Sequence, residues 1–211
     1  MELFDYFRSS ASYRVRIALN LKGLDYTLSP VSLLANEQTD ASYTAINPSA
    51  LVPGLRTEQG MLGQSVAILE YLEERYPEPP ILPRGTWEKA KCRELALTVA
   101  CDIHPLNNLR VLNYLSRQLG VEQAEKTVWY HHWLKLGFQT LESLLASQEQ
   151  PFCCGNQPTM ADICLIPQLY NARRFELDLA PYPTLIKIEQ QCQQLEAFRR
   201  AHPDAQSSSH L

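Results

Sequence analysis

Three short segments of this chain place hydroxyl, amide and guanidinium groups where helices and strands begin. In Arg8-Ser9-Ser10-Ala11-Ser12-Tyr13-Arg14, the serines precede a helical periodicity and are N-cap candidates, positioned to accept from backbone N–H groups that lack intrahelical partners. The same position also suits an anion. A helix N-terminus carries partial positive charge, and a hydroxyl from Ser9 or Ser10 there would hold a thiolate or carboxylate and lower a thiol pKa. The sequence leaves both readings open. In Asn47-Pro48-Ser49-Ala50-Leu51-Val52-Pro53, a proline stands just before a strand. That means a loop, with a cis Val52–Pro53 bond open to about one X–Pro pair in twenty; a cis bond would turn the Val52 backbone groups toward a peptide-like ligand. Gln64-Ser65 opens a further helix, with Ser65 as its cap or both residues as a carboxylate site.

A second group is basic and lies far apart in the chain. Arg110 follows the polar run Cys101-Asp102-Ile103-His104-Pro105-Leu106-Asn107-Asn108-Leu109, and Arg173-Arg174 precedes Phe175. His104 alone reads as a hydrogen-bonded structural histidine, and Asn108, Arg110 and the arginine pair as solvated. Brought together, Arg8, Arg110 and Arg174 would make the local basic site that a dianionic substrate needs, because guanidinium matches carboxylate geometry. Thr159-Met160-Ala161-Asp162 is a capping box with Asp in place of Glu, a structural motif, and Pro167 should kink the helix it opens.

The elements that must position these residues change character along the chain. Strands are expected at Leu3–Phe7, at Tyr26–Val31, and at Leu51–Arg56 with a turn at Gln59-Gly60 into Met61-Leu62. Helices are expected from Ser12 to Lys22, near Asp40–Ile46, and from Ser65 with Ile68, Leu69, Leu72 and Tyr76. The order is β-α-β-α-β-β-α. The proline-rich stretch Glu78–Pro83 cannot be helix. Beyond it the pattern is helical only: Trp87–Gln118, Glu122–Ser147, a segment from Thr159, and Thr184–Ala197, with a frayed polar tail from Asp204 to Leu211. This predicts an α/β domain over residues 1–80 and an all-α domain over 85–211.

Bulk properties exclude several functions. A net charge of −4 gives no general attraction to nucleic acid. No apolar run reaches the ~18 residues of a membrane span, and Met1–Asp5 lacks the basic and apolar regions of an export signal, so a cytoplasmic protein without membrane contact is expected. Its six cysteines, Cys92, Cys101, Cys153, Cys154, Cys164 and Cys192, form no CxxC pair, which removes zinc and dithiol motifs and leaves most of them as small core residues.

Ser9-Ser10-Ala11-Ser12-Tyr13-Arg14-Val15-Arg16-Ile17-Ala18-Leu19 resembles the signature of the zeta class of glutathione transferases, the family of maleylacetoacetate and maleylpyruvate isomerases. Asn47-Pro48 to Val52-Pro53, Gln64-Ser65, His104 to Leu109, the capping box and Arg174-Phe175 follow in the family's order over nearly the whole chain. The resemblance implies a thioredoxin-like N-terminal domain with a mixed four-stranded sheet, an all-helical glutathione-transferase C-terminal domain and a homodimer. It implies a glutathione-dependent cis–trans isomerase of a small dicarboxylic cis-enedione, maleylacetoacetate foremost, without a metal. Carried over by position, Ser9, Ser10 and Arg8 would be catalytic. Ser9, Ser10, Ala11, Gln38, Val52, Pro53, Gln64, Ser65, His104 and Asn108 would bind glutathione, and Arg8, Arg110 and Arg174 the substrate. The His104–Asn108 run with Arg110 is similar to the bacterial maleylpyruvate enzymes, the Ser-Ser opening to the maleylacetoacetate ones. Ala11 stands where the family commonly has cysteine, which removes a protein thiol but not the cofactor's, and Tyr13 replaces its tryptophan. The competing readings are a general conjugating glutathione transferase and a non-enzymatic partner-binding protein of the same build. A glutaredoxin-like reductase is disfavoured because positions 8 to 12 hold no cysteine.

Overall fold

The computed structural model describes residues 1–206. The chain divides into two compact units, one of Met1–Ile81 with the described residues from Gln193 onward, the other of Leu82–Cys192.

The first unit opens with β1 (Glu2–Asp5), α1 (Ser10–Leu21) and β2 (Thr27–Pro30), a crossover that brings β2 parallel to β1. A 3-10 turn at Glu37–Thr39 and α2 (Ala41–Thr44) lead to the hairpin β3 (Gly54–Thr57) and β4 (Gly60–Gly63), then α3 (Ser65–Arg75). The sheet order is β2-β1-β3-β4, with β3 antiparallel to both neighbours. This is the mixed four-stranded sheet of a thioredoxin-like domain, in the element order that the residue patterns predict. Helix α1 starts two residues earlier than its periodicity suggests and is buried on every side from Ser10 to Leu19. It is sandwiched between α3 and the late helix α9 (Glu196–Ala201). Leu3, Val15, Ile17, Leu19, Leu55, Ile68, Leu69 and Leu72 have no exposed surface and form the core. Lys22 Nζ donates to Glu73 Oε2 (2.8 Å), Tyr76 O (2.7 Å) and Pro79 O (3.0 Å), pinning the proline-rich segment to the end of α1.

The second unit contains α4 (Thr86–Leu97), α5 (Leu109–Leu119), α6 (Gln123–Leu145), α7 (Met160–Arg174) and α8 (Pro183–Gln194). The single helix expected from Trp87 to Gln118 does not form. Instead α4 widens into a π-helical turn, Thr98–Ile103, the chain breaks at His104–Asn108, and α5 begins afresh. Pro105 is the physical reason: it has no N–H to continue the ladder, and Asn108 then caps α5 by accepting from Arg110 N (3.1 Å). The Thr159–Asp162 capping box forms as read. Asp162 is fully buried and accepts from Thr159 N (2.7 Å), Thr159 Oγ1 (2.9 Å) and Cys153 N (2.8 Å), and burial nonetheless pushes its carboxyl above the usual range. Helix α7 continues through Pro167 to Arg174.

The chain after α8 also differs from the expected fraying. α9 and α10 (Pro203–Gln206) belong to the first unit, Gln206 is buried, and Asp204 lies inside α10; the rest of the expected tail, 207–211, falls outside the described residues.

Four of the six cysteines are buried, Cys154 is half-buried and Cys101 exposed. Burial raises the Cys153 and Cys192 thiols well above their ordinary values, which withholds the reactive thiolate. A thiol reagent at pH 8 should therefore modify Cys101 first, and Cys153 and Cys192 only after denaturation, as intact-protein and peptide mass spectrometry would show; early labelling of Cys192 would contradict this packing.

Candidate active site

Strand register brings the three polar segments of the first unit to one end of the sheet. Phe4, near the carboxyl end of β1, pairs with Gly54, the first residue of β3, and Gly54 pairs with Gly63, the last residue of β4. The chain leaving β1 (Arg8–Ser10), the chain entering β3 (Val52-Pro53) and the chain leaving β4 (Gln64-Ser65) therefore emerge side by side. Asp5 pairs with Pro30, so the carboxyl end of β2 adds the stretch that leads to Gln38.

At the head of α1, Ser9 is the N-cap, and its Oγ accepts from Ser12 N at 3.2 Å. This satisfies the capping reading and leaves the Ser9 O–H hydrogen to donate elsewhere, since a hydroxyl both accepts and donates. Ser9 is half-buried, whereas Ser10 and Ala11 are buried. Arg8 is exposed, its guanidinium 4.9 Å from the Phe7 ring centroid.

The Val52–Pro53 bond is cis. The loop before it is built by Asn47, a buried residue that the sequence marked only as part of a motif. Its Nδ2 donates to Leu51 O (2.8 Å) and Tyr43 Oη (3.1 Å), its Oδ1 accepts from Ser49 Oγ (2.7 Å), and Tyr43 Oη donates to Leu51 O (2.7 Å). An asparagine between the end of α2 and a proline was the available signal. Val52 packs with Tyr6, Val31 and Tyr43. Gln38 is half-buried in the 3-10 turn, with its Oε1 sealed from solvent and accepting no bond among the described residues.

Ser65 is not the cap of α3. Gln64 occupies that position with φ 63°, and Ser65 is the first helical residue, its buried Oγ accepting from Arg14 Nη1 at 3.2 Å. Arg14 was missed because an arginine within α1 reads as solvated; it is 1% exposed and ties the head of α3 to α1. Its neighbour Arg16 is equally hidden, with Nη1 on Asp5 Oδ1 (2.6 Å), Nη2 on Phe7 O (3.0 Å) and Nε on Ala201 O (3.0 Å).

The second unit gathers the other candidates around one turn of α6. Trp129 Nε1 donates to Leu106 O (2.8 Å), and Asn107 Nδ2 donates to Tyr130 O (3.2 Å), so this turn holds the 104–108 break that carries half-buried His104 and Asn108 and leads to Arg110. The Tyr130 ring stacks on Phe175 at 3.8 Å, and His131 Nε2 lies 2.6 Å from Phe175 O, immediately after Arg174. Burial raises the Tyr130 hydroxyl pKa, with the nearby Arg174 charge opposing it. Arg173 is committed to Glu189 through a bidentate pair (3.2 and 2.5 Å), while Arg110 and Arg174 are exposed with no carboxylate partner among the described residues. Among those residues no group of His, Cys, Asp and Glu is arranged to hold a metal ion, and no helix is long and apolar enough to cross a membrane.

A thioredoxin-like sheet with a hydroxyl at the head of its first helix, a cis-proline strand entry and a polar third-helix start, followed by a helical unit, defines the glutathione transferase build. The glutathione S-transferase N-terminal domain family matches residues 3–80, and the C-terminal domain family residues 131–203. A probable maleylacetoacetate isomerase of Vibrio cholerae is 48% identical over 206 residues, covering 97% of this chain and 96% of its own. Among solved structures, the holo structure of a bacterial maleylpyruvate isomerase of the zeta class superposes with a TM-score of 0.96 at 44% identity, covering 98% of each chain. A maleylacetoacetate isomerase from Methylobacterium extorquens with bound malonate and GSH gives 0.93 at 38% identity and 96% coverage of both. The chain belongs to the zeta class of the glutathione S-transferase family, among the maleylacetoacetate and maleylpyruvate isomerases.

Proposed function

We propose that this chain is a glutathione-dependent cis–trans isomerase of a small dicarboxylic cis-enedione, maleylacetoacetate to fumarylacetoacetate foremost. The observation that carries this is the strand register that delivers Ser9, Val52 and Gln64-Ser65 to one end of the sheet. These residues fit a tripeptide: Val52 offers backbone groups, the α3 N-terminus with Gln64 and Ser65 suits an α-carboxylate, and Gln38 is carried over from the family as a further amide contact. The family resemblance adds Pro53, Ala11, Ser10, His104 and Asn108 as proposed glutathione contacts. When bound, glutathione supplies the thiolate that adds reversibly to the cis double bond and permits rotation about it. Ser9 donates its O–H hydrogen to that sulfur, and the α1 dipole favours its ionised form. By the family resemblance Arg8, Arg110 and Arg174 are the proposed substrate residues, each with a guanidinium suited to a substrate carboxylate or to the charge that develops on the conjugated carbonyl. Maleylpyruvate is the second substrate reading, favoured by the Asn108 cap that presents Arg110.

The test follows the ultraviolet change of maleylpyruvate and of maleylacetone, each with and without glutathione. Turnover that requires glutathione is expected, and the ratio of kcat/KM values names the substrate. Glutathione binding without turnover would indicate a conjugating transferase, and neither would indicate a partner-binding protein. In the same assay Arg174→Ala should lower kcat/KM about thirtyfold, the worth of one charge-assisted carboxylate contact. We further infer a cytoplasmic homodimer working in aromatic amino acid breakdown. The exposed Trp87, Tyr114, Leu119 and Val128 of the helical unit support self-association, and a monomer mass by light scattering would remove that inference.

A further inference from the structure

The end of α7 is a Schellman turn. Glu176 N donates to Arg173 O (3.0 Å), Leu177 N to Ala172 O (3.0 Å), and Glu176 takes φ 54°. This closes the carbonyls of Ala172 and Arg173 but leaves Phe175 O pointing beyond the helix, where His131 Nε2 meets it at 2.6 Å. A carbonyl only accepts, so Nε2 carries the hydrogen. The adjacent Tyr130 ring stacks on the Phe175 ring at an interplanar angle of 16°. Two consecutive residues of α6 thus grip Phe175, one through its backbone and one through its ring, and Phe175 is the residue next to Arg174, whose guanidinium lies 5.7 Å from the Phe175 ring centroid. Arg174 has no ion pair among the described residues to fix it, in contrast to Arg173 on Glu189. Its guanidinium lies near two rings of its own segment, Tyr170 at 5.9 Å and Phe175 at 5.7 Å, and α6 holds the second of these.

We propose that His131 is a positioning residue for substrate binding: by holding Phe175 O it fixes the end of α7, and so the direction of Arg174. The inference rests on the reading that Arg174 binds a substrate carboxylate. Two amides of similar polarity test it, because the glutamine nitrogen lies about where Nε2 does and the asparagine nitrogen falls short. With maleylpyruvate as substrate, His131→Asn should lower kcat/KM about tenfold, chiefly through KM, and His131→Gln should stay within about twofold of the parent. In an Arg174→Ala background, His131→Asn should add less than about twofold, since a group that acts through Arg174 has nothing left to act on. Equal losses for the Asn and Gln variants, no loss for Asn, or a full further loss in the Arg174→Ala background would overturn the proposal while leaving Arg174 in its role. An Arg174→Ala protein with unchanged kcat/KM would remove the carboxylate reading itself, and the proposal with it.

Discussion

Ser9→Ala should lower kcat/KM at pH 7 by about a hundredfold, the usual consequence of removing one preorganised donor from a developing or stored anion. Two contributions separate cleanly. The cap to Ser12 N is lost, which costs about 1 kcal/mol of stability and would be read as a lower Tm. The donor to the bound sulfur is also lost, which raises the pKa of the bound thiol. Below that raised pKa the thiolate fraction falls tenfold per pH unit, so the deficit should shrink as pH rises and the pH–rate profile should move to the alkaline side. Ser9→Asp distinguishes the two effects. Aspartate caps a helix as well as serine does, so Tm should hold, but it brings negative charge and no donor to the sulfur, so activity should fall at least as far. Ser10→Ala should matter less, because Ser10 is the buried first residue of α1 and Ser9 is the half-buried one. A Ser9→Ala enzyme with an unmoved pH profile would place the thiolate contact elsewhere.

What could be seen in the sequence follows from which interactions are local. The β-α-β-α-β-β-α order was readable because apolar alternation, the Gln59-Gly60 turn and the proline-rich break are each written in a few adjacent residues. The Ser9 cap and the Thr159–Asp162 box were readable for the same reason. The convergence of Ser9, Val52 and Gln64 was not, because it depends on register between strands distant in the chain. His104-Pro105 misled in the other direction: apolar periodicity on both sides suggested one helix, and only the missing N–H of Pro105 reported the break. The role of Gln64 was misjudged because a positive φ at a non-glycine residue leaves no local signature, and Ser65 next to it is a better cap by type. His131 and Tyr130 fell within a uniformly helical stretch and gave no signal at all, since their partner Phe175 stands a whole helix away.

The arginines of α1 are the clearest case of a residue type pointing the wrong way, and they carry the largest expected effect on stability. Arg16 and Asp5 are both fully buried, and Arg16 makes four linked contacts: Asp5 Oδ1, Phe7 O, Ala201 O at the end of α9, and the Tyr13 ring with its centroid 5.4 Å away. The guanidinium thus ties β1, the segment entering Ser9, and the last turn of α9 to α1, where a cation also complements a helix C-terminus. Arg16→Met should destabilise the protein by about 3–5 kcal/mol, because it takes the guanidinium donor away from a fully buried carboxylate, from the carbonyl of buried Ala201 and from that of half-buried Phe7. The loss should appear as a lower urea midpoint with little change in slope. The pair itself need not be favourable over apolar packing, so Asp5→Leu combined with Arg16→Met should recover part of the loss even though two side chains have changed. Both variants should also weaken glutathione, because Phe7 O is lost as an anchor just before Arg8 and Ser9; full stability with weak binding, or full binding with low stability, would show that the two functions of Arg16 are separable.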